Sequence, residues 1–175
     1  MTLIELIIAL VLLSVIILGL NSITLFSHFH VTSSDRRAKL QNEASLALEH
    51  MSKEISKAIG DVNNTPVIIE DSNRRIRIYI DANGDGQRND YYIAYQYQGS
   101  PDYHIRYYPN YPGSSEVIAR KISSFNPSYN SVNNYITIQL TACWDPQTAV
   151  LPNGSIDNPC VNMNTSIKMP SVSTN

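Results

Sequence analysis

The segment Asp81-Ala-Asn83-Gly-Asp85-Gly86-Gln87-Arg-Asn89 is the stretch of this chain whose residue types and spacing best suit a metal ion. It offers oxygen donors at positions 1, 3 and 5 of a calcium loop, glycine at 6, a backbone carbonyl at 7 and an oxygen at 9. Such a loop closes with Glu at position 12, where this chain has Tyr92; Asp90 is near enough to replace the missing acid. The flanks read as strands rather than helices. Two readings stay open. Asp81, Asn83, Asp85, Gln87 and Asn89 hold a structural Ca2+, or the same Gly/Asn/Asp-rich run is an ion-free hairpin turn joining Tyr79–Ile80 to Tyr91–Tyr92. His28, His30, His50 and His104 belong to no nucleophile, zinc or phosphate-loop motif. Cys143 and Cys160 form no C-x-x-C, have no nearby His, and offer no C-x-x-C-H for haem attachment. The expectation is a protein that is no enzyme, with no cofactor beyond that structural Ca2+ if the loop binds one.

The remaining chemically pointed residue is Glu5. From Met1 to Val31 it is the single Asp, Glu, Lys or Arg, and Leu6–Leu20 is apolar on every helical face. An apolar helix of about 20 residues spans the ~30 Å hydrocarbon of a bilayer, so a membrane segment is expected. A cleavable secretory signal would bring a basic start and a small-residue cleavage site; no Lys or Arg precedes the run and no A-x-A-like site follows it. A plain anchor gives no reason for Glu5, since an acidic group inside the membrane is costly and needs a named partner. The first Lys or Arg is Arg36, so the nearest cation for Glu5 is the Met1 amine, of this chain or of a neighbour.

The string Met1-Thr2-Leu3-Ile4-Glu5-Leu6-Ile7-Ile8-Ala9-Leu10 resembles the mature N-terminus of type IV pilins and type II secretion pseudopilins, with Met1 where that family usually has Phe. The resemblance implies a leader removed by a prepilin peptidase, an N-methylated Met1, residence in the inner membrane, and extraction by an assembly platform into a helical homo-oligomer, either an extracellular pilus or a periplasmic pseudopilus. Its implied assembly residues are Met1, Thr2, Leu3 and Glu5, with Glu5 neutralising a neighbour's N-terminal amine. A buried carboxylate is tolerated when paired with an ammonium and strongly unfavourable alone. Many type IV pilins have a helix-breaking Pro near position 22; Ser22 stands here. The segment Gln41–Ile59 is similar to the second half of the helix in J-type pseudopilins and minor pilins, which keeps other pilins or pseudopilins among the implied partners.

Stepping along the chain, three parts are expected: an apolar helical half at 1–30, an amphipathic half at 31–60 and a β-rich head at 61–175. Leu40, Ala44, Leu48, Met51, Ile55 and Ile59 recur at helical spacing and mark one buried stripe. Gly60 is a natural helix stop. A helix over 2–59 would be about 90 Å long at 1.5 Å per residue, a rod that a compact domain of this size does not need. Ile76, Ile78 and Ile80 alternate with Arg75, Arg77 and Tyr79 as a half-buried strand. Tyr91–Tyr97, His104–Tyr108, Val117–Phe125 and Tyr135–Leu140 are further strands, separated by turn-rich stretches that include Pro109–Ser115 and Asn126–Asn134. Short neighbouring strands favour an antiparallel meander laid against the helical stripe. The predicted class is α+β, a pilin-like fold of one long N-terminal helix on an antiparallel sheet head with a disulfide-closed C-terminal loop.

An even cysteine pair in an exported chain favours a structural bridge, and the resemblance implies that Cys143–Cys160 pins an exposed C-terminal loop. Asn63, Asn153 and Asn164 open N-x-S/T sequons, candidates for glycosylation. Tyrosines cluster between Tyr79 and Tyr111, suited to subunit contacts or sugar binding, or to ordinary packing at a sheet edge. Arg74, Arg75 and Arg77 form a small basic patch, read as a solvated strand face. With 13 Lys plus Arg against 15 Asp plus Glu, the net charge of -2 gives no strong nucleic-acid signal. The function expected is a structural subunit of a type IV pilus-like filament. The alternatives are a minor pilin or pseudopilin at a filament tip, and a membrane-anchored binding module that never polymerises.

Overall fold

We describe residues 2–60, 65–81, 92–147 and 154–169 in a computed structural model. One helix, α1, runs from Leu3 to Ile55 over 53 residues, about 80 Å at 1.5 Å per residue. From Leu3 to Val31 every residue is exposed around the whole circumference. Four hydroxyls along this half and just beyond it are satisfied within the helix. Ser14, Ser22, Thr24 and Thr32 each donate their hydroxyl to a carbonyl of the preceding turn at 2.8–3.0 Å, the way a helix hides hydroxyls from an apolar surrounding. The helix is continuous through Ser22, consistent with that residue standing where a proline would break it.

Beyond Val31 the helix becomes amphipathic, and Leu40, Ala44, Ala47, Leu48, Met51 and Ile55 are buried along one stripe. The helix ends at Ile55, earlier than the expected residue 59, and Gly60 is not its stop. Ser56 caps it, with its hydroxyl donating to the Lys53 carbonyl at 2.8 Å. The Ile59 N–H then donates to the Tyr79 carbonyl at 2.9 Å and Ala58 bridges Ile80, so capture by the sheet ends the helix.

Among the described residues eight strands follow: β1 Val67–Glu70, β2 Arg75–Tyr79, β3 Tyr92–Gln98, β4 His104–Tyr108, β5 Glu116–Ala119, β6 Ile122–Asn130, β7 Tyr135–Cys143 and β8 Cys160–Lys168. They form an antiparallel five-stranded meander β1–β5 and a separate antiparallel sheet β6–β7–β8. The single expected strand Val117–Phe125 is broken between Ala119 and Ile122. Lys121 turns there with a positive φ of 60° and sends the chain from one sheet to the other. The stretch Asn126–Asn134, expected as turn, is strand as far as Asn130; only residues 131–134 turn. Its inward Phe125 and Pro127 are buried while Asn126 and Ser128 face out, an alternation that the Asn/Pro/Ser composition disguised.

Both sheets and the helical stripe share one core. Ile76, Ile78, Ile93 and Ile105 come from the first sheet, Ile136, Ile138 and Leu140 from the second, and Met51 and Ile55 from α1. Tyr97 pins the sheets together: its hydroxyl lies 3.1 Å from the Ile122 carbonyl and 3.0 Å from that of Ser123, at the start of β6. Tyr97→Phe removes that donor from two half-enclosed carbonyls. It should cost about 1–2 kcal/mol, read from urea unfolding followed by the fluorescence of Trp144, the chain's one tryptophan. A change below about 0.3 kcal/mol would show that water replaces the phenol at no cost.

Candidate functional site

Thr2 is the N-cap of α1, in extended backbone conformation, and Leu3 is its first residue. The Thr2 N–H donates to Glu5 Oε2 at 2.7 Å, and the Glu5 N–H donates to the Thr2 carbonyl at 3.1 Å. This is the glutamate arm of a capping box. A carboxylate in the first turn also complements the positive end of the helix dipole. The arrangement uses one oxygen of Glu5, while a carboxylate accepts at about four lone-pair sites. Glu5 is exposed, so its charge and remaining acceptor sites are open to a second group. Met1 lies outside the described residues. Behind this turn stands the all-round apolar surface of Leu3–Val31, long and apolar enough to cross a membrane.

Where the apolar half meets the head, a clamp that the sequence did not reveal holds helix and C-terminal loop together. Trp144 follows β7 and meets two cations, with the Arg36 guanidinium carbon 5.3 Å and Lys121 Nζ 3.2 Å from its ring centroid. Arg36 also donates to the Asp157 carbonyl at 2.9 Å. The cysteines form the bridge: Cys143 and Cys160 sit directly opposite one another at the ends of β7 and β8, Cα atoms 4.1 Å apart. Beside them Asn158 is fully buried and tied to the main chain of Asp145 in both directions, at 2.8 and 2.9 Å.

The outer face of the first sheet corrects the reading of Arg75 and Arg77 as solvated. Both reach Glu70 Oε2, at 3.7 and 2.8 Å, and lie over the rings of Tyr111 and Tyr92 at 4.9 and 4.4 Å. The tyrosine cluster is divided by strand alternation. Tyr92 and Tyr108 face outward with these arginines, while Tyr95 and Tyr107 point to the helix and meet His50. The hydroxyl of Tyr95 lies 2.9 Å from His50 Nδ1.

Burial raises the phenols of Tyr95, Tyr97 and Tyr129 above the ordinary value of 10.0. Above that value unfolded tyrosines lose protons that these folded ones keep, so stability falls as pH rises. For the fully enclosed Tyr95 the slope is about 1.4 kcal/mol per pH unit. Phenolate absorbance should therefore rise in two stages between pH 10 and 12, the second coinciding with loss of the Trp144 signal. A single stage without unfolding would contradict this.

Of the proposed calcium ligands only Asp81 is described, and Asn83, Asp85, Gln87 and Asn89 lie outside the described residues. Among the described residues no group of three His, Cys, Asp or Glu could hold a metal ion. Asn63 and Asn153 also lie outside them. Asn164 is exposed in β8, opposite Gln139. No protein-family model, curated protein or solved structure matches the chain.

Proposed function

We propose that this chain is a structural subunit of a type IV pilus-like filament, with the pilin-like fold, polymerising through α1. The observation that carries the reading is an apolar rod, exposed all round from Leu3 to Val31, whose one carboxylate stands in its first turn. Such a surface is stable in lipid or against other copies of itself, and not in water. In the membrane, Glu5 sits at the end of the rod near the headgroups. In the filament, rods pack together, and Glu5 neutralises the N-terminal amine of the next subunit while its other oxygen caps its own helix. That pairing sets the register of addition, and mispaired registers leave a charge buried and alone. The subunit begins as a product of prepilin peptidase, is N-methylated at Met1, waits in the inner membrane, and passes through an assembly platform to an extracellular pilus or periplasmic pseudopilus.

Shearing filaments from the source cells and quantifying this chain by peptide mass spectrometry tests the proposal. A dominant chain with an N-methylated terminal residue supports it. Trace amounts beside another pilin would make it a minor subunit at a tip. Complete retention in the membrane fraction would overturn polymerisation in favour of an anchored binding module.

A further inference from the structure

Where the apolar half of α1 ends, the C-terminal loop lies along the helix and a groove of about 350 Å³ opens between them. His30, Ser33, Ser34 and Arg37 line its helix side, and Ser155 and Ile156 face them from the loop. The helix residues stand at i, i+3, i+4 and i+7, one face of a helix. A guanidinium fork, hydroxyls and an imidazole are the donors that an oxyanion needs. Ser155 Oγ accepts the Asn158 N–H at 3.1 Å, a role that does not use its proton. Among the described residues no Asp or Glu lines the groove. Asp35, next to Ser34, is held by Lys39 at 2.8 Å, and Asp157 borders the neighbouring cleft with Arg36. The loop sequence Thr148–Ile156 carries no charge.

The height of the groove along the rod points to its ligand. With Glu5 at the near edge of the hydrocarbon, about 20 residues cross the ~30 Å core, which then ends near Leu25. The His30 ring stacks on Phe26 at 4.2 Å, so the groove begins where the hydrocarbon stops. Helical side chains lean towards the N-terminus, which brings Ser33, Ser34 and Arg37 back towards the headgroup layer. Ile156 also borders the cleft of His28 and Phe29, at that same level, and is 53% exposed.

We propose that this groove binds the phosphate of an anionic phospholipid in the leaflet nearest the head. Arg37 and the surrounding hydroxyls take the phosphate oxygens, and Ile156 rests on the glycerol and upper acyl region. A soluble anion would meet the same donors. The lipid is favoured because the groove continues the apolar rod, and because an exposed isoleucine serves a ligand with an apolar part. The inference rests on the membrane stage of the reading above and not on polymerisation. Its consequence is a head held at one height and one rotation above the bilayer.

The test uses the full chain in vesicles of phosphatidylcholine and phosphatidylglycerol in equal parts, floated on a density gradient. The floated chain is moved to a neutral detergent, and native mass spectrometry counts the phospholipids it keeps. Phosphatidylglycerol should be kept over phosphatidylcholine by about tenfold, and Arg37→Gln should remove most of that preference. Arg37 is exposed, so the variant should fold, with Trp144 fluorescence unchanged. Arg74→Gln, which removes an exposed arginine outside the groove, should leave the preference intact. A chain that floats but keeps both lipids equally overturns this inference alone, as does a preference that Arg37→Gln leaves unchanged. Displacement of phosphatidylglycerol by an equal concentration of inorganic phosphate would assign the groove to a soluble anion and overturn it too. A chain that does not float overturns the membrane stage, and this inference with it.

Discussion

Glu5→Gln is expected to stop filament assembly while leaving membrane insertion and the head unchanged. Gln keeps the volume of Glu and an amide oxygen that accepts the Thr2 N–H, the bond now made to Glu5 at 2.7 Å, so the helix cap survives. What it removes is the charge. In a packed bundle of apolar rods the neighbour's N-terminal ammonium would then be buried without a counter-ion. Breaking one side of a buried pair costs about 3–5 kcal/mol, a loss of roughly two to three and a half orders of magnitude in subunit association. Glu5→Ala should do the same and lose the cap besides. The amount of each variant in the sheared fraction, against its amount in the membrane, decides the point. Normal assembly of Glu5→Gln beside weakened assembly of Glu5→Ala would mean that Glu5 serves its own helix and nothing more.

The second large effect concerns the cystine. Replacing Cys143 and Cys160 together by Ser should lower the unfolding free energy of the head by about 3 kcal/mol, because a bridge over a separation of 17 residues removes that much entropy from the unfolded chain. The nine cross-strand pairs of β7 and β8 remain to hold the fold, so the variant should still fold at low temperature. Its urea midpoint should fall by roughly 1–3 M, followed by Trp144 fluorescence. The local consequence reaches the helix, because the segment containing Asp157 is held both by the bridge and by Arg36. Loss of the bridge should make Trp144 more accessible to a soluble quencher before global unfolding. A midpoint within error of the wild type would show that the strand ladder and Asn158 suffice without the bond.

How far the sequence foretold this molecule varied with the strength of the local signal. The helix was legible because its two halves have opposite and unmistakable patterns: apolar on all faces, then a stripe at Leu40, Ala44, Leu48, Met51 and Ile55 that is buried as the spacing required. Strands with isoleucine or tyrosine alternation, β2, β3, β4 and β7, were legible for the same reason. β8 was not, since Val161, Met163, Thr165 and Ile167 alternate with Asn and Ser in a stretch whose composition resembles a tail. β1 was hidden by having four residues. The division into two sheets depends on the left-handed turn at Lys121, a non-glycine residue for which no local rule predicts a positive φ. The clamp brings Arg36 to Trp144 from more than a hundred residues away, and Lys121 reaches the same ring from the turn between the sheets, so no spacing could have announced it. Glu5 stands out by its cost in an apolar run, and its hydrogen bond to Thr2 follows the T-x-x-E spacing of a capping box, a signal as local as the apolar run itself.

The central claim is the pairing of Glu5 with a neighbouring amine, and a cryo-electron-microscopy map of filaments containing this chain tests it most directly. The account predicts the N-terminal nitrogen of one subunit within about 4 Å of the Glu5 carboxylate of the next, the separation of an ion pair, with the Thr2 N–H still on the other oxygen. A filament in which that amine lies elsewhere and Glu5 meets only its own Thr2 would contradict it.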